Sequence, residues 1–184
     1  RPVGEAEQAH PGIGEAPVRA VPRKDVEADG AECLALRLAN ELGVVGVMAV
    51  ELFQTPSGEM LVNELAMRPH NSGHWTMDGA VTSQFEQHLR AVLDYPLGDT
   101  APRAEVTVMA NILGAAQAPE MSMDERTHHL MARMPDARIH LYGKGERPDR
   151  KIGHVNIVGK PGDDVATVGK TMPEFTALWT AMLG

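Results

Sequence analysis

The sequence predicts an α/β protein with mixed or antiparallel sheets, divided near residue 98. Three observations carry this. Two apolar, β-branched runs, 44–53 and 60–66, flank the turn-forming Thr55-Pro56-Ser57-Gly58, which is the pattern of a hairpin. Helices with polar starts and apolar periodicity stand on either side of it. After Gly98 the pattern restarts as strand, helix, strand, strand.

Each element follows in order. Residues 1–28 hold many Ala, Glu, Gly and Pro without an apolar period and read as an arm or linker with no chemistry assigned. The chain starts with neither Met nor a leader pattern, so it reads as a piece of a longer protein. Asp29 and Glu32 open a helix in which Ala31, Leu34, Ala35, Leu38 and Leu42 recur at helical spacing before Gly43. The hairpin comes next. Ser83 and Glu86 have capping-box spacing, and Phe85, Leu89, Val92 and Leu93 share one face of the helix they start. Beyond 98, residues 106–113 form a strand, Ser122 and Glu125 cap a helix to about Met134, and 138–144 and 151–158 are two further strands. Residues 159–169 read as loop. A last helix spans 174–183, with Phe175, Leu178, Trp179 and Met182 on one side.

Composition excludes several function classes. A net charge of -8 and a pI near 5.4 disfavour general nucleic-acid binding, which needs an excess of Lys and Arg. The single Cys33 rules out an internal disulfide and a multi-thiolate metal site, and no apolar stretch approaches the ~20 residues of a membrane span. The expected setting is a reducing cytoplasm.

The chemistry concentrates in Asn63-Glu64-Leu65-Ala66-Met67-Arg68-Pro69-His70-Asn71-Ser72-Gly73-His74-Trp75-Thr76. Buried polar groups each need a partner, so a run this rich in amide, carboxylate, guanidinium and imidazole suits a ligand cleft better than a core. A turn centred between Ser57 and Gly58 sets Glu51 opposite Glu64, with facing Cβ atoms roughly 5 Å apart. Like charges there are unfavourable without a cation between them. Two carboxylates beside the Asn63 amide oxygen suit Mg²⁺; two solvated acids on an exposed sheet face are the other reading. Arg68 has the fork to brace a phosphate or carboxylate, and His70 and His74 can carry protons near neutrality. Pro69 and Gly73 break the helical face a zinc pair would use. The segment Lys144-Gly145-Glu146-Arg147-Pro148-Asp149-Arg150-Lys151 places four cations in eight residues of an acidic chain. It is either a solubilising hairpin tip or an anion pocket for a phosphate monoester.

These segments, with Val50-Glu51-Leu52-Phe53, the run from Thr82 to Val92, Met109-Ala110-Asn111 and Tyr142-Gly143-Lys144 through His154, resemble the N5-carboxyaminoimidazole ribonucleotide synthetases over about residues 33–157. The resemblance implies the carboxy-terminal half of an ATP-grasp ligase of purine biosynthesis. Residues 29–98 would be the carboxy-terminal part of the ATP-grasp domain and 99–184 a small closing domain, divergent over 159–184. It implies ATP as co-substrate and Mg²⁺ as metal, with Mn²⁺ as the alternative ion. Bicarbonate is phosphorylated to carboxyphosphate and its CO₂ passes to the amine of 5-aminoimidazole ribonucleotide.

By the same resemblance, Glu51 and Glu64 hold the metal, and Asn63 and Glu64 meet the nucleotide. Arg68 and His70 act catalytically near bicarbonate and the transferred phosphoryl. His70, Asn71, Ser72, His74, Lys144 and Arg150 contact substrate, the last two at its 5′-phosphate. A homodimer is implied for the intact protein, and this piece alone is expected to be inactive. Asp149 departs from the Gly usual there and Met67 from a common Pro. The rival readings are a non-catalytic remnant or interaction module of the same fold, and an ATP-grasp ligase for another phosphorylated substrate.

Overall fold

In the computed structural model, residues 29–115 and 120–182 are described. The expected arm at 1–28 and the Asp29 side chain that would cap the first helix lie outside them. Helix α1 (Asp29–Glu41) closes through Leu42 N–H to Leu38 O at 3.0 Å, and Gly43 then turns with φ +62°, a conformation that favours glycine. Strand β1 (Ala49–Gln54) is shorter than the expected 44–53, because Gly46 at φ +110° breaks extension beside Ala91.

β1 pairs antiparallel with β2 (Met60–Ala66). The turn between them is built by Gly58 N–H donating to Thr55 O (2.9 Å) and Glu59 N–H to Thr55 Oγ1 (3.0 Å). Its pairing is displaced by one residue from the expected one: Gln54 faces Met60 and Leu52 faces Val62. A bulge then leaves Asn63 as an extra residue, and Glu51 faces Glu64 as expected.

A 3-10 turn (Asn71–Gly73) and α2 (Thr76–Gly79) lead to α3 (Gln84–Val92). Here the sequence reading needs two corrections. The capping box is half formed: Ser83 Oγ accepts Glu86 N–H, while the Glu86 carboxylate turns to Arg90 instead, at 2.6 Å. The face carrying Leu89, Val92 and Leu93 is exposed, and Gln84 and Gln87 are the buried residues. Their amides supply the donor and acceptor that neighbouring loops lack, as where Gln87 exchanges two hydrogen bonds with Gly98 (2.7 and 2.9 Å). The chain beyond Gly98 runs back along 79–82, with Val81 N–H on Ala101 O and Arg103 N–H on Gly79 O.

Strands β3 (Thr107–Leu113), β4 (Arg138–Leu141) and β5 (Lys151–Val158) form an antiparallel sheet in the order β3-β5-β4. β4 ends before the expected Lys144, since Gly143 at φ +65° turns the chain. Helix α4 (Met123–Arg133) carries the complete Ser122/Glu125 capping box. Residues 159–169, expected as loop, contain α5 (Val165–Gly169), which Asp164 starts by accepting Thr167 N–H at 2.7 Å. Helix α6 spans Thr171–Ala181. One face of the sheet packs Val108, Ala110, Ile112, Val155 and Ile157 against Leu130 of α4 and Met172, Phe175 and Trp179 of α6. The opposite face turns toward α2, where a side chain at Gly79 would strike Thr107. Fold and site meet on that second face.

Candidate active site

The bulge in β2 decides the first part of the site. Asn63, the extra residue, donates its amide to Glu51 Oε2 at 3.2 Å, and Glu64 is carried opposite Glu51. Into this pair projects His70, whose Nε2 stands 3.3 Å from Glu51 Oε1 and 3.7 Å from Glu64 Oε1. On its other side, Nδ1 accepts Ser72 N–H (3.3 Å) and meets Ser72 Oγ (2.9 Å). An Nδ1 that accepts leaves the proton on Nε2, so the imidazole presents N–H to the carboxylates. Arg68 is exposed, with Nη1 donating to Pro69 O. Asn71 opens the 3-10 turn, its carbonyl accepting His74 N–H.

The residue that fixes this loop was missed by sequence reasoning. Gln84, 7% exposed, accepts His70 N–H through Oε1 (2.9 Å) and donates from Nε2 to His70 O (2.8 Å) and His74 Nδ1 (2.7 Å). A side chain at Gly73 would collide with this carboxamide, which explains the glycine. Thr76 completes the brace by donating to Gly73 O (2.6 Å) and accepting Gln84 N–H (2.9 Å).

His74 then joins two parts of the site. Its ring lies 5.9 Å edge-on from Tyr142 and 5.0 Å from His154. Burial lowers its pKa, with the neighbouring His70, Lys151, His140 and Lys144 adding to the effect, so it sits neutral and accepts from Gln84. Lys144 Nζ lies 5.1 Å over the Tyr142 ring. A continuous contact path therefore runs from the acid pair through His70, Gln84, His74 and Tyr142 to the basic loop.

Beneath the path lies a buried polar layer, also absent from the sequence reading. Asp78 Oδ2 accepts from His140 Nε2 and Asn156 Nδ2, both at 2.7 Å. His140 stacks on His154 at 4.6 Å, and Tyr142 OH meets His154 Nδ1 at 2.8 Å. Burial, then His140 and His74, push the His154 pKa down to about 4 against the opposing pull of Asp78. Burial raises Tyr142 to about 12, so both partners are neutral near pH 7. The available signal was the alternation in β5: His154 and Asn156 interleave with Val155 and Ile157, marking a polar second face.

In the basic loop, Lys144 and Arg150 are exposed, and Arg150 donates to Gly145 O at 3.1 Å. Asp149 adopts φ +57°, left-handed backbone in which glycine is at ease. As a metal centre, the two opposed carboxylates fit an ion that takes few protein ligands and completes its shell with phosphate and water. Among the described residues no cluster of three or more His, Cys, Asp or Glu is arranged to hold an ion without such help.

Comparison with known proteins gives the same direction. A family model described as an ATP-grasp domain matches residues 8–85, and one described as a phosphoribosylaminoimidazole carboxylase C-terminal domain matches 107–167. The N5-carboxyaminoimidazole ribonucleotide synthase of Mycobacterium tuberculosis (strain ATCC 25618 / H37Rv) is 67% identical over 164 residues, covering 89% of this chain and 37% of its own. A crystallised ADP complex of an N5-carboxyaminoimidazole ribonucleotide synthetase superposes with TM-score 0.70 at 40% identity, over 89% of this chain and 41% of that one. The Aspergillus clavatus enzyme in complex with ADP and 5-aminoimidazole ribonucleotide gives TM-score 0.66 at 30% identity, over 88% and 46%. The chain thus spans less than half the length of these proteins.

Proposed function

The chain belongs to the N5-carboxyaminoimidazole ribonucleotide synthase family, and from that premise we propose that it forms the metal-bearing and phosphate-bearing walls of an ATP-dependent carboxylating ligase. The observation that carries the reading is the unbroken path from the Glu51–Glu64 pair to the Lys144 loop. It joins a place for nucleotide phosphates to a place for a phosphorylated substrate.

In this reading Glu51 and Glu64 hold Mg²⁺, or Mn²⁺ in its place, and Asn63 and Glu64 lie at the nucleotide. The ion supplies charge screening for the triphosphate when bound. Bicarbonate oxygen attacks the γ-phosphorus, the bond to ADP breaks, and carboxyphosphate releases CO₂ to the ribonucleotide amine, leaving phosphate. In the same reading Arg68, and the His70 Nε2–H once the ion engages the two carboxylates, would donate to the oxygens on which negative charge gathers, as fixed donors do in phosphoryl transfer. Gln84 and Ser72 keep that N–H in place, since they fix His70 by its backbone and its Nδ1. Asn71 and His74 flank the substrate side. Lys144 and Arg150 take the 5′-phosphate of 5-aminoimidazole ribonucleotide.

The intact protein is proposed to work as a cytoplasmic homodimer. No helix among the described residues is long and apolar enough to cross a membrane. The test is a chimaera in which this segment replaces its counterpart in the full-length Mycobacterium tuberculosis synthase. Glu51→Gln and Glu64→Gln there should each reduce bicarbonate-dependent ADP release at least a hundredfold, because an amide is a poor substitute for a charged metal ligand. Near-normal turnover at limiting Mg²⁺ would remove the metal assignment. Lys144→Ala should raise KM for the ribonucleotide about tenfold, the value of one lost charge-assisted hydrogen bond.

A further inference from the structure

The basic loop has an internal anchor that lies away from the path just described. Glu146, in the middle of the loop, points inward and forms a two-point ion pair with Arg126 of α4: Nη1 donates to Oε2 at 3.2 Å, and Nη2 to Oε1. Arg126 is 1% exposed, an unusual setting for a guanidinium. Its charge is answered twice, by Glu146 and by the face of Trp179 at 4.8 Å. Trp179 belongs to α6, outside residues 107–167 matched by the second family model. Its indole N–H donates to Leu113 O at 3.1 Å, at the end of β3. Two more bonds close the frame: Gly114 N–H to Arg150 O (2.9 Å) and Ala115 N–H to Glu146 Oε2 (3.5 Å). Gly114 is glycine because a side chain there would meet the Arg147 backbone at 2.5 Å.

The structure assigns Arg126 and Trp179 as positioning residues for phosphate recognition: they hold Glu146, and through it the backbone that spaces Lys144 and Arg150. This rests on the reading of the loop as the 5′-phosphate pocket. An exposed loop of eight residues with four cations would otherwise spread by self-repulsion, and a charge pair out of water gives it one geometry. The Arg126–Glu146 hydrogen bond also lowers the Glu146 pKa, so the pair stays charged through neutral pH. The carboxy-terminal helix thereby becomes a support for the substrate site.

Removing Glu146 alone would strand a buried cation and endanger folding. The informative variant is therefore Arg126→Met with Glu146→Gln, which removes both charges together, beside Trp179→Phe, which keeps the pair and loses the indole N–H. In the 184-residue chain, hydrogen exchange of the loop-frame amides of Gly114 and Arg150, which are hydrogen-bonded, should quicken at least tenfold in the double variant and less in Trp179→Phe, with β5 amides unchanged. In the chimaera, the double variant should raise KM for the ribonucleotide about tenfold and leave KM for ATP in place. A purely structural role would alter both KM values or neither. Unchanged loop exchange in the double variant would overturn the assignment, as would an unchanged ribonucleotide KM when Lys144→Ala raises it. If Lys144→Ala also leaves that KM unchanged, the phosphate reading itself falls, and this role falls with it.

Discussion

Replacing Gln84 with Met tests whether one buried amide holds the loop from His70 to Thr76. Methionine has nearly the same length and fills the same space beside Gly73, so the loss is confined to hydrogen bonds. Three disappear: those to His70 N–H, His70 O and His74 Nδ1, at 2.9, 2.8 and 2.7 Å. Each contributes about 1 kcal/mol net, and the groups left behind are half-buried, so the expected destabilisation is about 3 kcal/mol. For a chain of this size that corresponds to a fall in Tm of about 6–12 °C. Differential scanning calorimetry of the 184-residue chain measures it. Gln84→Glu should act differently. Its carboxylate can still accept from His70 N–H but cannot donate to His74 Nδ1, which would then need its own proton. The His74 pKa should rise from its lowered value, visible as a shifted imidazole titration by NMR. A loss under 1 kcal/mol for Gln84→Met, with an unmoved His74 titration in Gln84→Glu, would refute the view that this residue sets the loop.

The remaining expectations concern the loop and the polar layer. Asp149→Gly should raise stability by up to about 1 kcal/mol, since it relieves left-handed backbone at φ +57°. It should also tighten ribonucleotide binding a few-fold in the chimaera by removing an anion from the loop; calorimetry and KM read the two effects. The His154 pKa of about 4 lies below its ordinary value of 6.5, so the fold favours the neutral ring. Stability should be level above pH 6.5 and fall by about 3 kcal/mol as pH drops toward 4, because the unfolded imidazole takes up a proton that the folded one refuses. Urea titrations across that range should show a shallower slope for His154→Asn than for the parent chain; equal slopes would remove the claim. His140, His74, Asp78 and Tyr142 face the same ring and belong in the comparison.

Much of the fold was legible because its signals are local. Thr55 to Gly58 announced the hairpin, Ser122 and Glu125 the start of α4, and the polar run after Glu64 marked the end of β2 and the irregular loop that follows it. The facing of Glu51 and Glu64 was legible too, although the expected turn centre was displaced and the bulge at Asn63 compensated for it. The parts that escaped depend on distant partners. Gln84 sat on a helix whose obvious stripe was apolar, and only the neighbouring loops, with their unpaired backbone groups, explain why the amide face turns inward. Asp78 and His140 meet across 62 residues, and Arg126 meets Glu146 across 20, separations over which periodicity carries no information. Arg126 did leave a trace, four residues before Leu130 and eight before Met134, on the stripe that α4 buries.

The hairpin obeys two registers, one from the tip to Leu52 and another from Glu51 onward, with Asn63 as the joint between them. That joint works as a mechanical fuse. Lengthening or replacing the tip between Thr55 and Glu59 alters only the outer register, and the acids beyond the joint keep facing each other. The tip is accordingly a place to attach a reporter or splice in a peptide without disturbing the pairing of the two acids.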